Sequence, residues 1–414
     1  MALKLFLLSI FLLSLLDGKE ETDNFFENIT GKFTEEVTYS YNGSYPHSKV
    51  TSLKSSLLLG SEYKFNNNWR FKTNVKAYSD AIYYLRDKSF SDHEVDELQN
   101  EVELFDAYIQ GSINDNIDVK LGRQVVVFGR SDTIRITDIL NPLDNRHPGI
   151  VDNEDLYLPV AMAKFDYFIE EWRITPIVIL EQRFSKNPPF GSDFYPTSYI
   201  VPDNIHYNDI TYALSIGGEF SNWDLNFYAA KVYNDAGYIP IMENSKIRHD
   251  KISMFGIAQN FVNGSWLFKT EVAYFDGLKY SSTQEKKFMR TDALIGVEYN
   301  GMANTLITYD FSVRHLNNYD DRLLSEFNFL EKNTYQQAFR INSNFINETL
   351  HFNYLISLFG NHLNKGGYQR VWSQYDIKDN IHIDIGVLDF IGGTTYFNKI
   401  KDNDMIFTNI NYFF

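Results

Sequence analysis

Between residues 121 and 184 the chain gathers guanidinium and carboxylate groups whose types and spacing could do electrostatic chemistry. Arg123, Arg130, Arg135 and Arg146 stand near Asp132, Asp138, Asp144, Asp152 and Asp155, with Glu181 and Arg183 just downstream. Opposed charges lining a narrow water path set a transverse field, which sorts solutes by charge and dipole. The same residues have a plainer use if they pair with each other and hold a loop against its support. Both readings place the interest in the connection 128–159. It is long, mixed in charge and partly apolar, and long structured connections of this kind usually carry function.

Covalent and metal chemistry find little to work with. The nine histidines are scattered, there is no cysteine, and no His-x-x-x-His spacing suggests zinc. Neither a Gly-x-Ser-x-Gly elbow nor a phosphate-binding loop is present. A hydrolase built from Ser312, Ser357, His351 and Asp310 is the least favoured alternative. No catalytic residue, metal site or cofactor is therefore expected. The net charge of -16 argues against a nucleic-acid partner, which calls for a basic footprint. That acidity reads most simply as solvated loops.

The elements that must position these groups alternate with period two. Trp223, Leu225, Phe227 and Ala229 share one face, and Asp224, Asn226 and Tyr228 the other. Ile307, Tyr309, Phe311 and Val313 oppose Thr308, Asp310, Ser312 and Arg314. Alternation of this kind marks strands that are apolar on one side and wet on the other. Short, turn-like connections such as Asn114-Asp115-Asn116, Glu170-Glu171, Asn263-Gly264 and Asn300-Gly301 alternate strictly with long polar ones. Tight turns on one side and long loops on the other are the layout of an outer-membrane barrel. The pattern predicts an all-β fold, a transmembrane antiparallel β-barrel of about eighteen strands, with sixteen as the alternative. A lumen plugged by its own loops, presenting surface loops only, stands as a second reading beside an open pore.

Both ends of the chain agree. Residues 1–18 read as a secretory signal peptide, and 19–30 as a short periplasmic segment before a single barrel over 31–414. At the other end, Ile406, Thr408, Ile410, Tyr412 and Phe414 form an apolar face, with Asn409 and Asn411 opposite. Tyr412 and Phe414 resemble the terminal signal that barrel-assembly machinery reads. Aromatic residues make up 16% of the chain, more than a soluble domain needs and in keeping with interfacial girdles. Trp69, Trp172, Trp223 and Trp266 each begin a strand at a short turn, which assigns them to the periplasmic girdle. The expected surroundings are outer-membrane lipid and lipopolysaccharide, and the expected cargo is a small-molecule permeant.

One stretch also carries a resemblance. Gly122-Arg123-Gln124-Val125-Val126 is followed by Gly129-x-Ser131-Asp132 and by Asp138-Ile-Leu-Asn141-Pro142-x-Asp144. Glu154-Asp155-Leu156, Leu158-Pro159 and Asn187-Pro188-Pro189-Phe190-Gly191 come after. These motifs, confined to about 118–195, resemble an uncharacterised family of proteobacterial outer-membrane barrels and, more distantly, alginate-export and porin-like barrels. The resemblance implies a transport pore working with an inner-membrane RND-type exporter and handling hydrophobic compounds. The family pattern often has Trp-Gly-Glu where this chain has Phe128-Gly129-Arg130, so a base replaces an acid there.

Overall fold

The computed structural model describes residues 29–42, 49–65, 68–86, 90–151, 153–195, 197, 200–240, 246–327 and 329–414. The expected signal peptide, residues 19–28 and Asp152 lie outside the described residues. The strands are β1 (Ile29–Ser40), β2 (Val50–Lys64), β3 (Trp69–Asp80), β4 (Asn100–Asn114), β5 (Ile117–Gln124) and β6 (Val160–Ile169). Then follow β7 (Trp172–Ile179), β8 (Thr211–Glu219), β9 (Trp223–Tyr233), β10 (Lys251–Asn263), β11 (Trp266–Leu278) and β12 (Phe288–Met302). The last are β13 (Thr305–Leu316), β14 (Asn333–Phe345), β15 (Leu350–Phe359), β16 (Gly367–Lys378), β17 (Ile381–Ile391) and β18 (Met405–Phe413). All pair antiparallel with their chain neighbours, and β1 pairs with β18 from Lys32 opposite Phe413 to Ser40 opposite Met405. The sheet is a closed barrel of eighteen strands, and sixteen is excluded. Closure leaves no row of unpaired amides, the condition for strands in hydrocarbon.

Strand limits follow the alternation closely, and the departures have local causes. The barrel begins two residues before its expected start, because Ile29 and Thr30 already pair with Ser61 and Gly60. β3 stops at Asp80 although the chain stays partly apolar to Leu85. The Asp80 carboxylate accepts from the amides of Leu53 and Ile82 at 2.9 and 3.0 Å, which turns Ile82–Leu85 into a short helix. β7 ends at Ile179, where the amides of Leu180 and Glu181 both reach the Ala161 carbonyl. The hairpin expected at Asn300-Gly301 turns instead at Asn304, whose φ of 53° suits asparagine.

The two faces separate as alternation requires. Phe255, Ile295, Ile385, Val387, Ile406 and Ile410 are exposed on the outside, where lipid would cover them. Asn226, Thr308, Asp310, Ser312 and Asn411 are buried on the inside. The four tryptophans of the expected girdle are the first residues of β3, β7, β9 and β11 and lie on outward positions. Phe220 packs edge-on to Trp172 at 5.8 Å and stacks on Trp223 at 4.1 Å. The fifth tryptophan, Trp372, faces inward beneath the Arg370 guanidinium, 3.7 Å from its ring.

The interior is not uniformly wet. Met162, Ile177, Ile179, Val232, Ile252, Met254, Phe275 and Phe288 point inward near the long-loop ends of β6–β12, and all are buried. Residues from the connection after β5 cover them. Closer to the short turns the same strands present Lys164, Asp166, Thr175, Asp224, Asn226 and Lys269. The polar lumen expected along whole strands is thus confined to their periplasmic half on this side of the barrel.

Phe414 seals the seam between β1 and β18. Its amide donates to the Gly31 carbonyl at 3.1 Å, the Gly31 amide donates back at 2.8 Å, and its ring stacks with Tyr412. A side chain at Gly31 would run into that ring. Deleting Phe414 removes these contacts, at a cost of about 1–3 kcal/mol. The deletion should lower the denaturant midpoint of the refolded barrel, read by the heat-modifiable gel shift. An unchanged midpoint would limit Phe414 to an assembly role.

Candidate functional site

The connection from β5 to β6 enters the barrel and is held there by carboxylates of the wall. Glu271, on β11, is 2% exposed. It accepts from the amides of Arg130 at 2.6 Å, Ser131 at 2.9 Å and Thr137 at 3.3 Å, and from the Thr137 hydroxyl at 2.8 Å. Asp310, on β13, is fully buried and accepts from the hydroxyls of Ser131 at 2.7 Å and Thr133 at 2.5 Å. A buried carboxylate is tolerable only when donors surround it, and buried loop amides need acceptors equally. Each side supplies partners to the other, through both oxygens of Glu271 and through Oδ2 of Asp310. Gly129 makes the approach possible, because its φ of 97° and the crowding of Glu271 and Thr137 leave no room for a Cβ.

Apolar contacts complete the seat. Phe128 stacks on Tyr228 at 4.4 Å, and Ile134, Ile136 and Leu140 join the dry cluster on the wall. Full burial of side chains of this size contributes roughly 1.5–3 kcal/mol each. The chain then crosses the barrel. Ile150 packs with Leu388, Phe390 and Met405 of β17 and β18, far around the wall from β11. The connection is therefore a strap spanning the lumen.

The charged residues selected from the sequence are mostly paired. Arg130 meets Asp224 of β9 at 2.5 Å. Arg135 donates to Asp138 at 2.8 Å and to the Asn141 carbonyl at 2.9 Å, and Asp138 also accepts from Tyr157. Arg146 clasps Asp144 with two bonds of 2.8 and 2.6 Å and reaches Glu101 of β4 at 2.6 Å. Arg183 pairs with Glu103, and Lys186 bridges Glu101 and Glu103. Arg123 pairs with Glu181 and shares its strand face with the exposed Leu121, so alternation turns it away from the lumen. Asp155 is exposed in the short helix Asn153–Leu156. Asp132 is 75% exposed at its side chain and lies 3.4 Å from Lys269.

Among the wall residues weighed for hydrolysis, Asp310 is committed to Ser131 and Thr133. His351 contacts Asn344 and Asp376, and Ser357 contacts Gln336. None of these contacts joins a serine to a histidine. Sequence reasoning missed Glu271, Tyr228, Glu101 and Glu103 as anchors. Their only signal was a polar residue at an inward strand position, shared with many others.

Electrostatics tighten the middle of the strap. Burial alone would raise the Asp144 carboxyl, but the hydrogen bonds and charge of Arg146 outweigh it and hold Asp144 below the usual carboxylate range. Next to it, burial pushes the His147 imidazole down to about 4; Lys54 and Arg146 oppose its charge, while Glu36 and Asp144 favour it.

Two measurements follow. Glu271→Ala leaves the amides of Arg130, Ser131 and Thr137 without their acceptor, a loss of about 1–3 kcal/mol or more. Hydrogen exchange at 129–137 should rise at least tenfold while β11 stays protected. The His147 ring titrates near 6.5 when free and about 4 here, so the seated strap binds fewer protons between those values. Seating should weaken as pH falls from about 6.5 toward 4 and be unaffected above that window. Exchange at 145–150, corrected for intrinsic rates, should rise at pH near 5 in the parent and not in His147→Gln.

The barrel resembles solved outer-membrane porins. It superposes on Acinetobacter baumannii OccAB2 with TM-score 0.53 and 11% identity, over 95% of this chain and 99% of that one. It matches Pseudomonas aeruginosa OccK8 (OprE) with TM-score 0.54 and 10% identity, over 93% and 97% of the two chains. For Pseudomonas aeruginosa OccK2 (OpdF), solved in complex with glucuronate, the values are 0.54 and 10%, over 94% and 97%. At such identities the likeness concerns the fold. No curated protein matches the sequence. Residues 39–414 match the family described as "Protein of unknown function (DUF1302)", and the chain belongs to that family.

Proposed function

We propose that this protein is an outer-membrane channel for passive passage of small solutes, with the strap 128–159 as its constriction. The observation that carries this reading is the strap itself. It is fastened inside a closed barrel on Glu271 and Asp310, it crosses to β17, and polar, water-facing side chains line the periplasmic half of the wall around it. A structural wall needs no buried carboxylates to hold a loop across its interior, whereas a pore needs a fixed narrow point. In this reading the gradient of the solute, or an inner-membrane exporter of the RND type, drives transport.

The dry cluster beneath Phe128, Ile134 and Ile136 favours a second reading, a barrel plugged by its own strap. Planar-bilayer conductance and liposome swelling separate the two. The parent should conduct in discrete steps, and deletion of 131–155 should raise the unit conductance severalfold. A folded barrel that conducts only after the deletion would establish the plugged reading. One that conducts in neither form would end the channel reading.

A further inference from the structure

Cations gather on one arc of the lumen wall. Registers across four strands put Arg70 of β3 opposite Gln110 of β4, Gln110 opposite Lys120 of β5, and Lys120 opposite Lys164 of β6. These positions all point inward. Above this row on β3, Lys72 and Lys76 occupy the same face as Arg70, every second residue apart from Asn74. Arg70 has Glu62 at 3.5 Å and Lys164 has Asp166 at 2.5 Å. Lys72, Lys76 and Lys120 have no ion-pair partner within 4.0 Å among the described residues.

Acids are present in this arc: Glu62 stands opposite Lys72 and Glu103 opposite Lys76, but Glu62 lies 3.5 Å from Arg70, Glu103 pairs with Arg183 and Lys186, and the aspartates are held by neutral donors. Asn74 donates to Asp106 at 2.9 Å and Ser112 donates to Asp118 at 2.6 Å. Their side chains are short, whereas lysine carries its ammonium on a four-carbon stem toward the axis. Lys120 extends over the Tyr108 ring at 3.9 Å, where it is repelled by Lys164, Lys72 and Arg70 and attracted by Asp106. Like charges set directly across two strands destabilise a sheet. At this pair the cost is partly offset, because Asp166 lies 2.5 Å from Lys164, while Lys120 has no ion-pair partner among the described residues.

We infer that Lys72, Lys76 and Lys120 form an anion-selecting arc on the lumen wall of β3 and β5, so that the permeants are small anionic solutes. This rests on the channel reading above and deepens it. The arginines of the strap are neutralised by their own partners, which leaves these wall lysines as a field that a solute meets beside and below the strap.

The test is the reversal potential of the purified full-length protein in planar bilayers under a potassium chloride gradient. The parent should prefer chloride at roughly 0.1 M salt and lose that preference near 1 M, where the screening length falls to about 3 Å. The triple variant K72Q/K76Q/K120Q should keep its folded gel mobility, since it relieves repulsion, and its anion-to-cation permeability ratio should fall about fivefold. K231Q, on an outward position at the rim, should leave the ratio unchanged. A conducting parent that prefers cations, or a conducting triple variant with the parent's ratio, overturns the inference while the channel stands. A folded parent with no conductance overturns both.

Discussion

Two wall carboxylates, Glu271 and Asp310, set where the strap lies, and with it the internal shape of the barrel. A carboxylate withdrawn from water must find donors. Backbone amides and hydroxyls of residues 130–137 are those donors, and they have few other partners inside a barrel. The bond is mutual, which is why a connection of this length does not lie out over the mouth. Once residues 129–137 are seated, Phe128, Ile134, Ile136 and Leu140 reach the apolar wall, and burial adds to what the hydrogen bonds began.

The seat also divides the interior by wetness. Under the strap, β6–β12 carry apolar residues on their inner face, and the packing resembles the core of a soluble protein. Below and beside it the wall is polar. The barrel therefore meets two solvents on its outside and two on its inside. Alternation serves the lipid face everywhere, but the lumen face changes character along a single strand. β9 shows this, with Asp224 and Asn226 low and Ala230 and Val232 high.

Charge follows the same division. Guanidinium groups of the strap are spent on structure: Arg130 on Asp224, Arg135 on Asp138, Arg146 on Asp144 and Glu101. Bidentate arginine suits this work because its planar fork matches a carboxylate. Lysines of β3 and β5 remain available to water. The residues that drew attention in the sequence were those that hold the site together, and the unpaired ones were less conspicuous.

Strand number, chain order, the outward face and the tryptophan edge were all legible in the sequence, because period two and turn chemistry are local and a closed barrel has few ways to use them. Phe414 marked the seam for the same reason. The strap was visible as unusual through its length and its Arg and Asp content, though not its partners. Pairing of Arg130 with Asp224, or of Ser131 with Asp310, joins residues far apart in the chain, and spacing holds no information about it. The run Arg70, Lys72, Lys76 on one face was in the sequence as well, but which of its charges stay unpaired depends on how Glu62 and Glu103 are engaged by other cations. By itself the sequence determined a membrane barrel with one exceptional loop. Only the tertiary structure decided that the loop lies inside, that its arginines are paired there, and that three lysines of the wall are not, since each of these depends on which groups closure of the barrel brings together.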